Sequence, residues 1–372
     1  MNFTLDLKSF RADERMALSL RSIYESYGYR PYKMSKFEEY ELYSSNMDFL
    51  GEGGVLTFTD VNGKLMALKP DVTLSIVKNS KGNKGTQKVH YRENVYRRNA
   101  RGGSFKEMLQ SGIECIGDIG IVETTEVLLL ALKSLSLTER SFHLDISHMG
   151  VLSSLVGENV PNEIKDELFT CIRRKNAGGI IEIAAANSLD LSRFEALASA
   201  VSLNGSAYDV IASLKNNPYL NDCKALDELN EIVDALVSLG YKENIGIDLS
   251  VVNDMNYYRS LIFRGYIDCV PEAILSGGRY DDLVKKMGRD SGALGFAVAL
   301  DRLQDLTKVN YDSAGALLVY SNNVSADKIM SAADALRAEG YSVEVTSDKD
   351  KTSQYAKVFY ITPNGVTEER NA

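Results

Sequence analysis

The sequence predicts an α+β protein in two parts: a β-rich unit over residues 1–312 and a small α/β unit over 313–372. Three observations lead there. Runs with strand periodicity flank a stretch of helical texture at about 150–240, which reads as an insertion between two β-rich halves. The final residues alternate strand, amphipathic helix and strand, as a small α/β unit does. The chain has 372 residues, 44% of them hydrophobic, enough for a large core and too many for one small domain.

Taken in order, residues 12–28 place Met16, Leu18, Leu20, Ile23 and Tyr24 near helical spacing, with Gly28 able to end the helix. VLTFTDVNGKLMALKP, from Val55, reads as a hairpin turning at Asn62-Gly63. Residues 105–117 alternate as a strand, 123–138 read as a helix and 142–149 as a strand. Strand texture returns at 245–269. Gly277-Gly278 suggests a turn into a short helix, and ALGFAVALDRL (293–303) closes the unit. In the last part, ALLVYS, ADKIMSAADALRAEGY, SVEVTS and AKVFYITP read as strand, helix, strand and strand, followed by a polar tail, NGVTEERNA.

Bulk properties weigh against several classes. Net charge is −9, from 42 basic and 51 acidic residues, which leaves no bulk electrostatic footprint for nucleic acid. The four cysteines, at 115, 171, 223 and 269, form no CxxC pair, so neither a disulfide framework nor a zinc site is readable. The three histidines, His90, His143 and His148, read as ordinary polar or core residues. The N-terminus has no apolar run of signal type, and no segment approaches the ~20 apolar residues of a membrane helix. The expectation is a cytoplasmic protein without metal or cofactor.

Four short stretches could carry chemistry. In an extended 105–117, Gln110, Gly112 and Glu114 share one face, a polar floor with space above the glycine. A solvated face fits that periodicity too, but a strand covered on both sides requires a partner for Glu114, from protein or ligand. In LKPDVT, Pro70 interrupts ladder pairing, and Asp71 and Thr73 project together if extended; Asp71 could equally cap a turn or helix. In MNYYRS, the adjacent Tyr257 and Tyr258 face opposite ways. In SGGRYDDLV, the glycines permit close backbone approach, while Arg279 could simply pair with Asp281 or Asp282.

Together VLTFTDVNGKLMALKPDVT, VHYRENVYRRN, FKEMLQSGIECIG, MNYYRSLIF, SGGRYDDLV and ALGFAVALDRL resemble, in order and spacing, the class II histidyl-tRNA synthetase core over roughly residues 10–305. The resemblance implies an antiparallel sheet flanked by helices, followed by a truncated anticodon-binding-like α/β domain. Two groups share this core: the synthetases, and the regulatory subunits of ATP phosphoribosyltransferase, which assemble with a short catalytic subunit and are needed for its activity and histidine feedback. Carried over residue by residue, the histidine pocket comprises Asp71, Thr73, Gln110, Glu114, Tyr257 and Tyr258. Arg97 and Arg302 remain from the phosphate site.

The departures favour the second group. The glutamate of the FRxE motif is Asn99, the arginines of the next loop are Ser104 and Lys106, and the α-phosphate arginine is Asn253. Asn256 replaces an aspartate in the same block. Neutral amides cannot stabilise the charge that develops at phosphorus, and lysine lacks the arginine fork. The KPDVT form of the pocket block also looks like the regulatory subunits. These features imply a histidine-binding chain without aminoacylation, partnered by a short-form catalytic subunit, with tRNA not expected as a ligand. Homodimerisation through the core is implied as well, although Ser35 stands where the family has a proline near its dimer interface.

Overall fold

The computed structural model describes residues 10–50, 54–80, 85–98, 103–252, 260–306, 315–355 and 357–368. Asn99, Asn253, Asn256, Tyr257 and Tyr258 lie outside them. The chain divides into two compact units, residues 1–306 and 307–372.

The first unit opens with helix α1 (Ala12–Ser26), strands β1 (Arg30–Pro31) and β2 (Phe37–Glu39), and the short helices α2 (Tyr40–Ser44) and α3 (Met47–Leu50). The hairpin β3 (Thr57–Thr59) and β4 (Leu65–Leu68) leads into helix α4 (Thr73–Asn79), then β5 (Gln87–Arg98) and β6 (Phe105–Gly117). Helix α5 (Ile121–Ser136) and β7 (Phe142–His148) precede six helices: α6 (Met149–Val156), α7 (Asn162–Arg173), α8 (Ala177–Ala186), α9 (Leu191–Val201), α10 (Ala207–Lys215) and α11 (Lys224–Ser238). The unit ends with β8 (Ile245–Ile247), β9 (Leu261–Ile267), β10 (Leu275–Arg279), α12 (Asp281–Lys286) and β11 (Gly292–Ala299).

Eight of these strands form one sheet in the order β1-β5-β6-β11-β10-β9-β7-β8, antiparallel through the centre and parallel at both edges. Helices α1 and α5 cover one face, where Leu20, Tyr24, Val127 and Leu128 meet Ile113, Cys115 and Phe296 in a continuous core. Tyr24 satisfies its buried hydroxyl on Ser134, 3.0 Å away. The inserted helices bury apolar stripes into that same core, through residues such as Phe194, Val210, Leu229 and Ile232. A three-stranded sheet, β2-β4-β3, packs Ala67 into a second cluster with Tyr91, Tyr280 and helix α4.

Several expectations need correction. Leu18 is 46% exposed, because on α1 it falls off the stripe carrying Met16, Leu20 and Tyr24. Thr73 is not extended: it begins α4, and the Asp71 carboxylate accepts from the Leu74 amide at 3.0 Å. Gly277-Gly278 makes no turn but lies within β10, where a side chain at 277 would overlap the Gly295 carbonyl.

The second unit contains β12 (Gly315–Tyr320), α13 (Ala326–Ala338), β13 (Ser342–Thr346), β14 (Lys357–Thr362) and β15 (Gly365–Glu368). Its sheet order is β13-β12-β14-β15, parallel except for the last pair. The polar tail thus supplies an edge strand. With all four residues exposed, it buries no apolar face and leaves no alternation to read.

Candidate ligand-binding site

The large sheet presents a hollow on the face away from α1. Cross-strand pairing aligns Tyr91 with Gly112 and Glu93 with Gln110, while β11 places Ala297 beside Gly112 and Gly295 beside Glu114. Ser276 on β10 lies next to Ala297. Small residues at the centre and large polar ones at the rim create a cavity of about 300 Å³, lined by Asp71, Thr73, Tyr91, Arg97, Gln110, Glu114 and Tyr280 among others. That size is at the small end for a small-molecule site. Gly112 is required by its neighbours, since a Cβ there would stand 2.6 Å from the Tyr91 hydroxyl and overlap the Phe296 carbonyl.

Glu114 is almost fully buried in the cavity lining, 2% exposed. Thr73 donates its hydroxyl to one carboxylate oxygen at 2.6 Å, and Tyr280 donates to the other. Burial pushes the carboxyl up to about 8; the two hydroxyls pull the other way, and the neighbouring Asp71 adds to the rise. Asp71 is also raised by burial, opposed by Arg97 and by backbone amides of the α4 turn. The two carboxyls of the site are therefore held by different partners. Asp71 has a cation beside it, whereas the donors to Glu114 among the described residues are neutral.

Arg97 lies on the cavity wall, but its fork is engaged. Nε donates to the Pro70 carbonyl at 2.7 Å and Nη2 to Asp71 at 3.3 Å. Arg302 does not line this cavity; it donates to the Ala273 carbonyl and pairs with Glu272 at 3.2 Å. Lys106 stands opposite Arg97 on the exposed end of β6.

The structure thus brings together Asp71, Thr73, Gln110, Glu114 and Arg97, separates Arg302 from them, and leaves Tyr257 and Tyr258 undescribed. It adds Tyr280, Tyr91 and Ser276. Tyr280 follows the weak GGRY signal, in which Arg279 attracted attention and pairs with Asp281 at 2.9 Å. Tyr91 had no signal of its own, because an aromatic opposite a glycine is visible only once the β5–β6 register is known.

A large, mostly antiparallel sheet flanked by helices, with a hollow between β5, β6, β11 and the Asp71–Thr73 turn, defines a class II synthetase-like fold. The family model "Histidyl-tRNA synthetase" matches residues 3–303. An ATP phosphoribosyltransferase regulatory subunit from Caldanaerobacter subterraneus subsp. tengcongensis is 31% identical over 339 residues, covering 88% of each chain. Among solved structures, an ATP phosphoribosyltransferase regulatory subunit/histidyl-tRNA synthetase from Bacillus halodurans has a TM-score of 0.79 at 24% identity, covering 97% of this chain and 99% of that one. The ATP phosphoribosyl transferase (HisG:HisZ) complex from Thermotoga maritima contains a chain with a TM-score of 0.63 at 20% identity, covering 78% and 97%. The chain therefore belongs to the histidyl-tRNA synthetase family, on the branch of ATP phosphoribosyltransferase regulatory subunits.

Proposed function

We propose that this chain is the non-catalytic regulatory subunit of ATP phosphoribosyltransferase, required for the activity and histidine feedback of the first step of histidine biosynthesis. It acts in the cytoplasm with a short-form catalytic subunit, as a homodimer through the synthetase-like core. L-Histidine occupies the cavity, its α-ammonium toward Asp71, Thr73 and Gln110 and its imidazole toward Glu114. The resemblance alone assigns Tyr257 and Tyr258 to the same ligand, and both lie outside the described residues.

The observation that carries this reading is the contrast between the acids of the cavity and the cations of the family's phosphate site. Two buried acids remain where an amino acid would be held, while the cations a reacting phosphate needs are substituted or already engaged. Arg97 is held by Pro70 and Asp71, Arg302 by Ala273 and Glu272, and Ser104 stands where the family has an arginine. Buried carboxyls suit a cationic ammonium and a hydrogen-bonding imidazole. Feedback then requires that histidine bind the inhibited arrangement of the complex more tightly than the active one.

Reconstitution tests it. The pure chain mixed with a short-form catalytic subunit is expected to switch on phosphoribosyl transfer, and added histidine to suppress it. Histidine-dependent exchange of pyrophosphate into ATP by the pure chain would instead establish a divergent synthetase. Arg302→Ala is expected to leave histidine affinity unchanged in calorimetry, since its guanidinium is tied outside the cavity; a marked loss would return Arg302 to the site.

A further inference from the structure

A buried ion pair lies beside the Pro70–Asp71 segment of the cavity wall. Lys69 is fully buried, and its ammonium meets the Glu93 carboxylate at 2.5 Å, with that side chain 15% exposed. Two buried charges gain little net stability over a well-packed apolar pair, so their presence asks for a role in geometry. Lys69 immediately precedes Pro70 and Asp71. Its carbonyl receives the last backbone bond from β5, given by the Tyr96 amide at 2.9 Å, before Pro70, which has no amide to donate. Glu93 stands opposite Gln110 on β6, and its second oxygen receives the Met34 amide at 3.3 Å, which fixes the carboxylate's direction.

We propose that Lys69 and Glu93 are positioning residues that set the register of the Asp71–Thr73 turn against β5 and β6. Apolar contacts can slide along a strand, whereas a charge-assisted hydrogen bond has one direction and one length. The pair holds the segment at Lys69, and Arg97 holds it through Pro70 and Asp71. Between them Asp71 is kept across the hollow from Gln110, and Thr73 within 2.6 Å of Glu114. The effect on histidine rests on the pocket reading above; the positioning itself does not.

The test uses the full chain with Lys69→Met, Lys69→Arg and the double variant Lys69→Met/Glu93→Met. Histidine affinity is measured by calorimetry, backbone exchange over residues 69–79 by deuterium uptake, and stability by thermal unfolding. The double variant, which leaves no unpaired charge, is expected to unfold near the wild-type temperature. It should nonetheless exchange faster over 69–79 and bind histidine at least about tenfold more weakly, the order expected for losing a charge-assisted hydrogen bond. Lys69→Arg keeps the cation and should retain both properties. A double variant that matches wild type in exchange and affinity would make the pair merely structural and overturn the proposal. If the wild-type chain binds no histidine, the pocket assignment fails, and the exchange data still decide the positioning role.

Discussion

Glu114→Gln is expected to bind histidine about tenfold to hundredfold more weakly, the range for leaving a buried polar group without its partner, and yet to be the more stable protein above neutral pH. The two effects share one cause. Glu114 is buried, its donors among the described residues are the neutral Thr73 and Tyr280, and burial raises its pKa from 4.5 to about 8. Between those values the unfolded chain releases a proton that the folded chain keeps. Folding stability then falls by about 1.4 kcal/mol for each pH unit. This carboxyl's contribution is fully present below pH 4.5 and lost as pH rises through about 8. An amide of the same shape can still accept from Thr73 and donate to the Tyr280 oxygen, and it does not titrate. The stability gap between variant and wild type should therefore open across that window and vanish below it. Thermal unfolding from pH 4 to 9, paired with calorimetric titration by histidine, measures both. A gap independent of pH would remove the buried-acid account, and unchanged histidine sensitivity would remove Glu114 from the pocket.

Gly295→Ala is expected to cost about 3 kcal/mol or more of stability and to abolish ligand binding, because overpacking a site walled by backbone leaves no cheap relaxation. A methyl at 295 would overlap both the Glu114 carboxylate and the Ile113 carbonyl of the adjacent strand. The carboxylate could swing only by leaving Thr73 and Tyr280, and the carbonyl is fixed in the β6–β11 ladder. Gly63→Ala offers the contrast. That glycine has nothing within 4 Å of a Cβ and suffers only its positive φ of +80°, so its cost should be smaller and binding unaffected. Chemical denaturation and calorimetry on both variants give the comparison. Equal effects would mean that the floor of the cavity is not defined by Gly295.

Much of the site was legible because strand periodicity alone puts Gln110, Gly112 and Glu114 on one face, and β6 spans Phe105–Gly117. The partnership of Asp71 with Thr73 was legible for the wrong reason. Extended geometry suggested that they point together; in fact Pro70 ends the ladder, Asp71 receives the first turn of α4, and Thr73 opens that helix toward Glu114. The role of Arg97 changed more. The resemblance assigns it to a residual phosphate site, and the structure shows its guanidinium also bracing the Pro70–Asp71 turn.

Periodicity, turn residues and six ordered blocks were sufficient for the α+β class, the helical insertion and the family, since these depend on patterns local along the chain. The partners of Glu114 were not local. Tyr280 is 166 residues away, and it reaches the carboxylate only when β6, β11 and β10 are in register. Lys69 carries no signal of its own in the sequence, and folding buries it on Glu93. A buried charge and its partner are chosen by long-range strand pairing, which no sequence period encodes.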